Sequence, residues 1–235
     1  MRGLSRDTGT GPVGLFLHGL LSDAEGNKSI TLWNQAEQHH RSWVRFDMRA
    51  HGKSDGTFDE FTISRALEDV RLVLSLFPDR PKILVGSSMG GWVAAQLATE
   101  KQLNIAGAVL IAPAFSFLMQ LFFQVEQHER QQWIEQGRWT FKGDGTEDDF
   151  TLSYNAVVDS KPYDLMGKPV NYGCPIRILH GRLDDVVPAM QSVEFVGHMP
   201  SYSDIELRIL PNADHRLSGH IEHITDSVDD IWPKM

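Results

Sequence analysis

The chain has 235 residues, 41% hydrophobic and 23% charged, and its 22 Lys+Arg against 31 Asp+Glu give a formal net charge of −9. That apolar share excludes a disordered chain, no run approaches the roughly 20 apolar residues that span a bilayer, and an acidic balance without a Lys/Arg-rich block argues against nucleic acid as a partner. The length suits one α/β domain with a single large core, and the lone Cys174 cannot form an internal disulfide, so a soluble, cytoplasmic, single-domain protein is expected.

In chain order, residues 1–12 are polar and Gly-rich, and the apolar run 13–17 stops at His18-Gly19, too soon for a signal-peptide core. Short apolar runs at 13–17, 43–47, 83–86, 108–112, 176–179 and 205–210 read as strands. Four of the six are almost continuously apolar, the pattern of strands buried on both faces. His39-His40 closes a helix ahead of the second strand. Residues 62–77 place Ile63, Leu67, Val70, Leu74 and Phe77 on one helical stripe behind a Thr62 N-cap. Further helices are expected over 89–102, 188–198 and about 218–231. Strands alternating with helices predict an α/β fold with a mostly parallel sheet and helices on both faces.

The alternation lapses from 115 to 172, where no strand is predicted. An apolar helical stretch (FSFLMQLFFQV) leads into a polar helix (EQHERQQWIEQG), an acidic Gly loop at 143–150 and a short helix near 150–159. An insertion between two strands of a parallel sheet sits over the carboxyl edge, where ligands bind. The expected organisation is a core of residues 1–114 and 173–235 with a small helical lid, 115–172, within one domain. Part of the apolar lid helix packs on the core and the remainder lines an acyl pocket, with Phe115, Leu118 and Phe122 as candidates. The competing reading makes the whole stretch core or dimer contact.

The sharpest local signal is Gly86-Ser87-Ser88-Met89-Gly90, between a strand and a helix. This G-x-S-x-G frame puts Ser88 on a turn so tight that the positions two before and two after it must lack bulky side chains. Ser87 does not fit, because Val85 and Met89 would flank it. A serine hydroxyl is a poor nucleophile near neutral pH and needs a base, itself oriented by an acid. After the strand at 176–179 comes His180-Gly181-Arg182-Leu183-Asp184-Asp185, and after that at 205–210 comes Pro211-Asn212-Ala213-Asp214-His215. The order Ser, Asp, His makes His215 the base and Asp184 the acid, with Asp185 the competing carboxylate. The His18-Gly19 loop offers the backbone N–H of Leu20, and the helix start that of Met89, as an oxyanion hole. The loop 46–56 reads as structural. His180, before a glycine at a strand end, reads as a packed, hydrogen-bonded histidine, and His198, His220 and His223 as solvent-facing. There is no H-E-x-x-H and no Cys/His cluster, so no metal is expected, and the triad requires no cofactor.

Together these residues make the chain similar to the α/β-hydrolase superfamily and, within it, to the group of mitochondrial palmitoyl-protein thioesterases. The resemblance is carried by EGNKS (25–29), RFD and SDG within 45–56, ILVGSSMGGW (83–92), CPIRILHGRLDDVVP (174–188) and DHR (214–216). It implies an α/β-hydrolase fold and hydrolysis of small-molecule acyl esters or thioesters, with Ser88, Asp184 and His215 on the family's triad and an oxyanion hole near Leu20 and Met89. With about a dozen residues ahead of Val13, the family's antiparallel entry strands are expected to be shortened or absent, and no transit peptide is visible. Two other functions use the same residues: a non-catalytic scaffold that binds a small ligand, and a peptidase or carbon–carbon hydrolase.

Overall fold

A computed structural model of the chain describes residues 1–142 and 149–233. Most of the acidic loop expected at 143–150 lies outside the described residues. The elements run β1 (Arg2–Arg6), β2 (Val13–Leu17), α1 (Asn27–Gln38), β3 (Ser42–Asp47), α2 (Ile63–Leu74), β4 (Lys82–Ser87), α3 (Met89–Leu97) and β5 (Ile105–Ile111). They continue with α4 (Phe117–Gln124), α5 (Gln127–Gln136), β6 (Arg138–Phe141), β7 (Phe150–Ser153), α6 (Tyr154–Ser160), β8 (Ile176–Gly181), α7 (Met190–Gly197), β9 (Ile205–Leu210) and α8 (Ile221–Ile231).

The main sheet is ordered β1-β3-β2-β4-β5-β8-β9. Every neighbouring pair from β3 to β9 is parallel. Alternate side chains of the central strands serve two cores. Leu15, Leu17, Leu84, Leu110 and Ile178 pack with α2, α3 and the 115–172 insertion, whereas Phe16, Ile83, Val85, Val109 and Ile111 pack with α1 and α8 on the other face. This two-sided burial explains why these strands are nearly continuous apolar runs. Helix α2 shows how the flanks are held: Thr62 accepts a hydrogen bond from the Arg65 amide as N-cap, and Ile63, Leu67, Val70 and Leu74 are all buried. Each such side chain contributes about 2 kcal/mol, more than the cap's roughly 1 kcal/mol, so the stripe rather than the cap decides where the helix lies.

Four details depart from the sequence expectation. Helix α2 stops at Leu74 rather than at 77, because Pro78 disfavours helical backbone at the residue before it. Helix α3 stops at Leu97 rather than continuing to 102, with a separate turn at Lys101–Leu103. Strand β1, outside the six runs read as strands, is an entry strand that pairs antiparallel with β3 from Arg2↔Asp47 to Arg6↔Trp43, so the entry strands are shortened rather than absent. The insertion also contains strands, since β6 and β7 form an antiparallel hairpin from Arg138↔Ser153 to Phe141↔Phe150.

The insertion is tied to the core at several points. Trp92 Nε1–H donates to the Tyr163 carbonyl at 2.9 Å, the Ser64 amide donates to Asp159 at 2.9 Å, and Gln191 of α7 donates to Gln120 of α4 at 2.8 Å. Among the described residues, no helix is long and apolar enough to cross a membrane.

Candidate active site

Strand β4 delivers the chain to Ser88, whose backbone adopts φ 54° and ψ −117°. A non-glycine residue rarely holds such a conformation, and it persists here because the surroundings fix it. The Ser88 amide donates to Ile111 O at 2.8 Å, and its carbonyl accepts from the Gly91, Trp92 and Ala114 amides. A Cβ at Gly86 would lie 2.1 Å from Gly90 O, and one at Gly90 would lie 2.1 Å from Leu17 O. The turn therefore closes only with glycine at both places, the demand read from the G-x-S-x-G spacing.

The loops after β8 and β9 bring their side chains to this serine. His215 Nε2 lies 3.1 Å from Ser88 Oγ, and His215 Nδ1 lies 2.7 Å from Asp184 Oδ2. Asp184 Oδ1 accepts from the backbone amides of Val186 at 3.0 Å and Val187 at 2.7 Å. A carboxylate only accepts, so the His215 proton sits on Nδ1 and Nε2 is left as the acceptor for the serine hydroxyl. The Asp184 side chain is fully buried. Burial alone would raise its pKa, but hydrogen bonds from His180, His215 and the Val187 amide outweigh it and hold the carboxyl well below the usual carboxylate range. Asp185, the competing acid, is exposed and faces the cleft instead.

The loop after β2 lies against the serine: a Cβ on Gly19 would sit 3.3 Å from Ser88 Cβ. Leu20 and Met89, the residues whose amides the sequence offers as an oxyanion hole, both border the cleft. His18 anchors this loop. Its Nδ1–H donates to the Gly19 carbonyl at 2.8 Å, and its Nε2 accepts from the Met48 amide at 3.0 Å. Burial pushes the His18 pKa down to about 4, against the opposing Gly19 bond, so the ring is neutral near pH 7.

The serine opens into a cleft of about 1140 Å³. Three sequence candidates for its wall lie elsewhere. Phe115 is fully buried and stacks on Phe195 with ring centroids 4.2 Å apart. Leu118 is fully buried in the same core, and Phe122 packs among Trp133 and Tyr154. The insertion instead presents Phe117, Gln120, Leu121 and Gln124 to the cleft. These positions fall on one helical stripe. The signal was present in the sequence, because the two glutamines mark the wetter face of an otherwise apolar helix. Two further contributors escaped the sequence reading: the start of α1, Gly26 to Ser29, borders the cleft, and His180 reaches the Asp184 carboxylate at 3.1 Å.

Outside the cleft, His220, Glu222 and His223 bring their ligand atoms within 4.8 Å of one another at the start of α8. Both histidines, expected to face solvent, are half-buried.

The arrangement is one in which a serine proton can pass to an imidazole that a carboxylate orients. The mitochondrial palmitoyl-protein thioesterases ABHD10 of Bos taurus and Homo sapiens are each 27% identical over 97% of this chain and 75% of their own length. The structure of a hydrolase from Agrobacterium vitis S4 has a TM-score of 0.91 at 30% identity, covering 98% of this chain and 92% of that one. Mouse alpha/beta hydrolase domain-containing protein 10 gives 0.86 at 24% identity, covering 97% and 92%. The family model described as "Alpha/beta hydrolase family" matches residues 15–228, a span that holds the elbow serine, the carboxylate and the histidine, and the chain belongs to that family.

Proposed function

We propose that the protein hydrolyses carboxylic acyl esters or thioesters through an acyl-enzyme on Ser88. The observation that carries this reading is the position of His215, 3.1 Å from Ser88 Oγ on one side and 2.7 Å from Asp184 on the other. Ser88 Oγ attacks the acyl carbonyl carbon while its proton moves to His215 Nε2, and Asp184 stabilises the imidazolium. The carbonyl oxygen becomes an oxyanion held by the Leu20 and Met89 amides. Loss of one such donor in comparable sites costs about 3–4 kcal/mol. The bond to the leaving oxygen or sulfur breaks, and the alcohol or thiol takes the proton from His215. Water then attacks the acyl-enzyme, gives its proton to His215, and releases the acid and a reprotonated Ser88. The cycle is redox-neutral and needs no further reactant.

Phe117 and Leu121 supply an apolar wall suited to an acyl chain. The relatives named as thioesterases favour acyl transfer over peptide or carbon–carbon cleavage. The test is Ser88→Ala against p-nitrophenyl esters and matched alkyl thioesters of several chain lengths, with fluorophosphonate labelling of the wild type. Loss of turnover and of labelling is expected; turnover unchanged in Ser88→Ala ends the proposal, and a wild type that neither turns over nor labels leaves a binding scaffold as the alternative.

A further inference from the structure

Asp184 holds two histidines, and the mechanism above uses one. His180, the penultimate residue of β8, has a side chain with no solvent exposure. Its Nε2 lies 3.1 Å from Asp184 Oδ2 and 2.9 Å from the Val187 carbonyl. Both partners are acceptors, so the proton is on Nε2. Nδ1 is then an acceptor, and the Ser192 hydroxyl of α7, 2.8 Å away, donates to it. Three contacts thus fix the orientation of the ring. The row runs Ser192, His180, Asp184, His215, Ser88, and each carboxylate oxygen receives two donors: two backbone amides on Oδ1 and two imidazoles on Oδ2.

A histidine needed only for packing has no reason to spend its one N–H on the oxygen that already serves His215. We propose that His180 is a positioning residue for the triad: it locks the rotation of the Asp184 carboxylate and, by sharing Oδ2, limits the negative charge that His215 meets. The claim rests on the hydrolase reading for its catalytic consequence, but the coupling of the two histidines is measurable without turnover. Among the described residues, the other charged or titratable groups bordering the cleft are Lys28, Asp23, Asp149, Asp185, Asp214, Arg216, His18 and His51. They are unchanged in each variant below, so a shift in His215 titration reports His180.

The experiment titrates the His215 imidazole by NMR and measures kcat and KM on p-nitrophenyl butyrate against pH, in wild type, His180→Leu and His180→Gln. In His180→Leu the unshared Oδ2 binds the imidazolium more tightly. The His215 midpoint and the acid limb of kcat/KM should therefore rise by about 0.5 pH unit or more, while kcat falls about tenfold and KM stays within about twofold. In His180→Gln an amide N–H again reaches Oδ2, and the midpoint should return toward wild type. A His215 midpoint that stays put in a folded His180→Leu, or one that moves equally in His180→Gln, overturns the proposal. Where His180→Leu does not fold, Ser192→Ala replaces it and should move the midpoint in the same direction by a smaller step; no movement there also overturns the claim. A shifted midpoint in a protein that hydrolyses no ester or thioester would sink the hydrolase reading and leave the coupling standing.

Discussion

Asp184→Asn isolates what the carboxylate does, because the structure dictates how the amide must sit. Oδ1 is held by two backbone amides, Val186 at 3.0 Å and Val187 at 2.7 Å, which cannot turn away. The asparagine oxygen must occupy that place, and its NH₂ then replaces Oδ2. There it faces the Nδ1 of His215, and two donors cannot pair. His215 escapes by moving its proton to Nε2, which turns the group beside Ser88 Oγ from an acceptor into a donor. On the other side, the His180 Nε2–H also loses its carboxylate partner. The shape of the site is unchanged while its proton traffic is reversed. In a triad so altered the loss in kcat is about 10⁴-fold, equivalent to about 5.5 kcal/mol. The assay is p-nitrophenyl butyrate turnover at pH 8, with circular dichroism and substrate-analogue binding to confirm an intact fold and cleft. A loss of less than about tenfold in a folded variant would mean that His215 does not depend on Asp184 for its tautomer, and the assignment of base and acid would fail.

Other outcomes follow from the same geometry. Phe115→Ala should lower the unfolding free energy by about 3–5 kcal/mol, since it empties a fully buried site against Phe195. In the fraction that stays folded, the order of preference among acyl chain lengths should be unchanged. Phe117→Ala and Leu121→Ala should shift that preference at little cost in stability, as a panel of esters would show. Gly181→Ala should lower kcat at least tenfold with little change in KM, because the new Cβ would lie 2.4 Å from the Ala213 and Asp214 carbonyls and push away the loop that carries His215. The buried His18, with its pKa held down to about 4, titrates higher once unfolded, near about 6.5. Its stabilising contribution is full above that value and declines as pH falls, by at most about 3 kcal/mol near pH 4, and His18→Asn should flatten that part of a urea-denaturation pH series. Asp184 follows at lower pH, since a carboxyl held below its ordinary range stabilises the fold above about pH 4 and loses that effect below it.

The parts legible in the sequence share a physical cause. Strands such as β2 and β5 are buried on both faces, and that burial writes itself into continuous apolar runs. The elbow was legible because a backbone clash, not a side-chain preference, demands Gly86 and Gly90. What escaped depends on partners distant in the chain. Strand β1, RGLSR, is mostly exposed and carries no apolar alternation, and it is a strand because β3 offers it an edge. The hairpin of β6 and β7 has only four residues in each arm, too few for a period-two pattern to stand out. Helix α4 is apolar around most of its surface, so only Gln120 and Gln124 marked the stripe that meets the cleft, and Leu118 and Phe122 of the helix, with Phe115 just before it, pack into the core instead. His180 looked ordinary because its significance lies in sharing an acceptor with a residue 35 positions away, which spacing cannot reveal.

On the mechanism proposed, the serine, carboxylate and imidazole hang from the ends of β4, β8 and β9, while the apolar wall of the cleft is lent by a helix of the insertion. Chemistry and selectivity are therefore inherited through different stretches of the chain. Editing Phe117, Gln120, Leu121 and Gln124, or grafting a relative's whole 115–172 segment onto the anchors at Trp92 and Ser64, can retune which molecules enter without disturbing how a proton moves once they arrive.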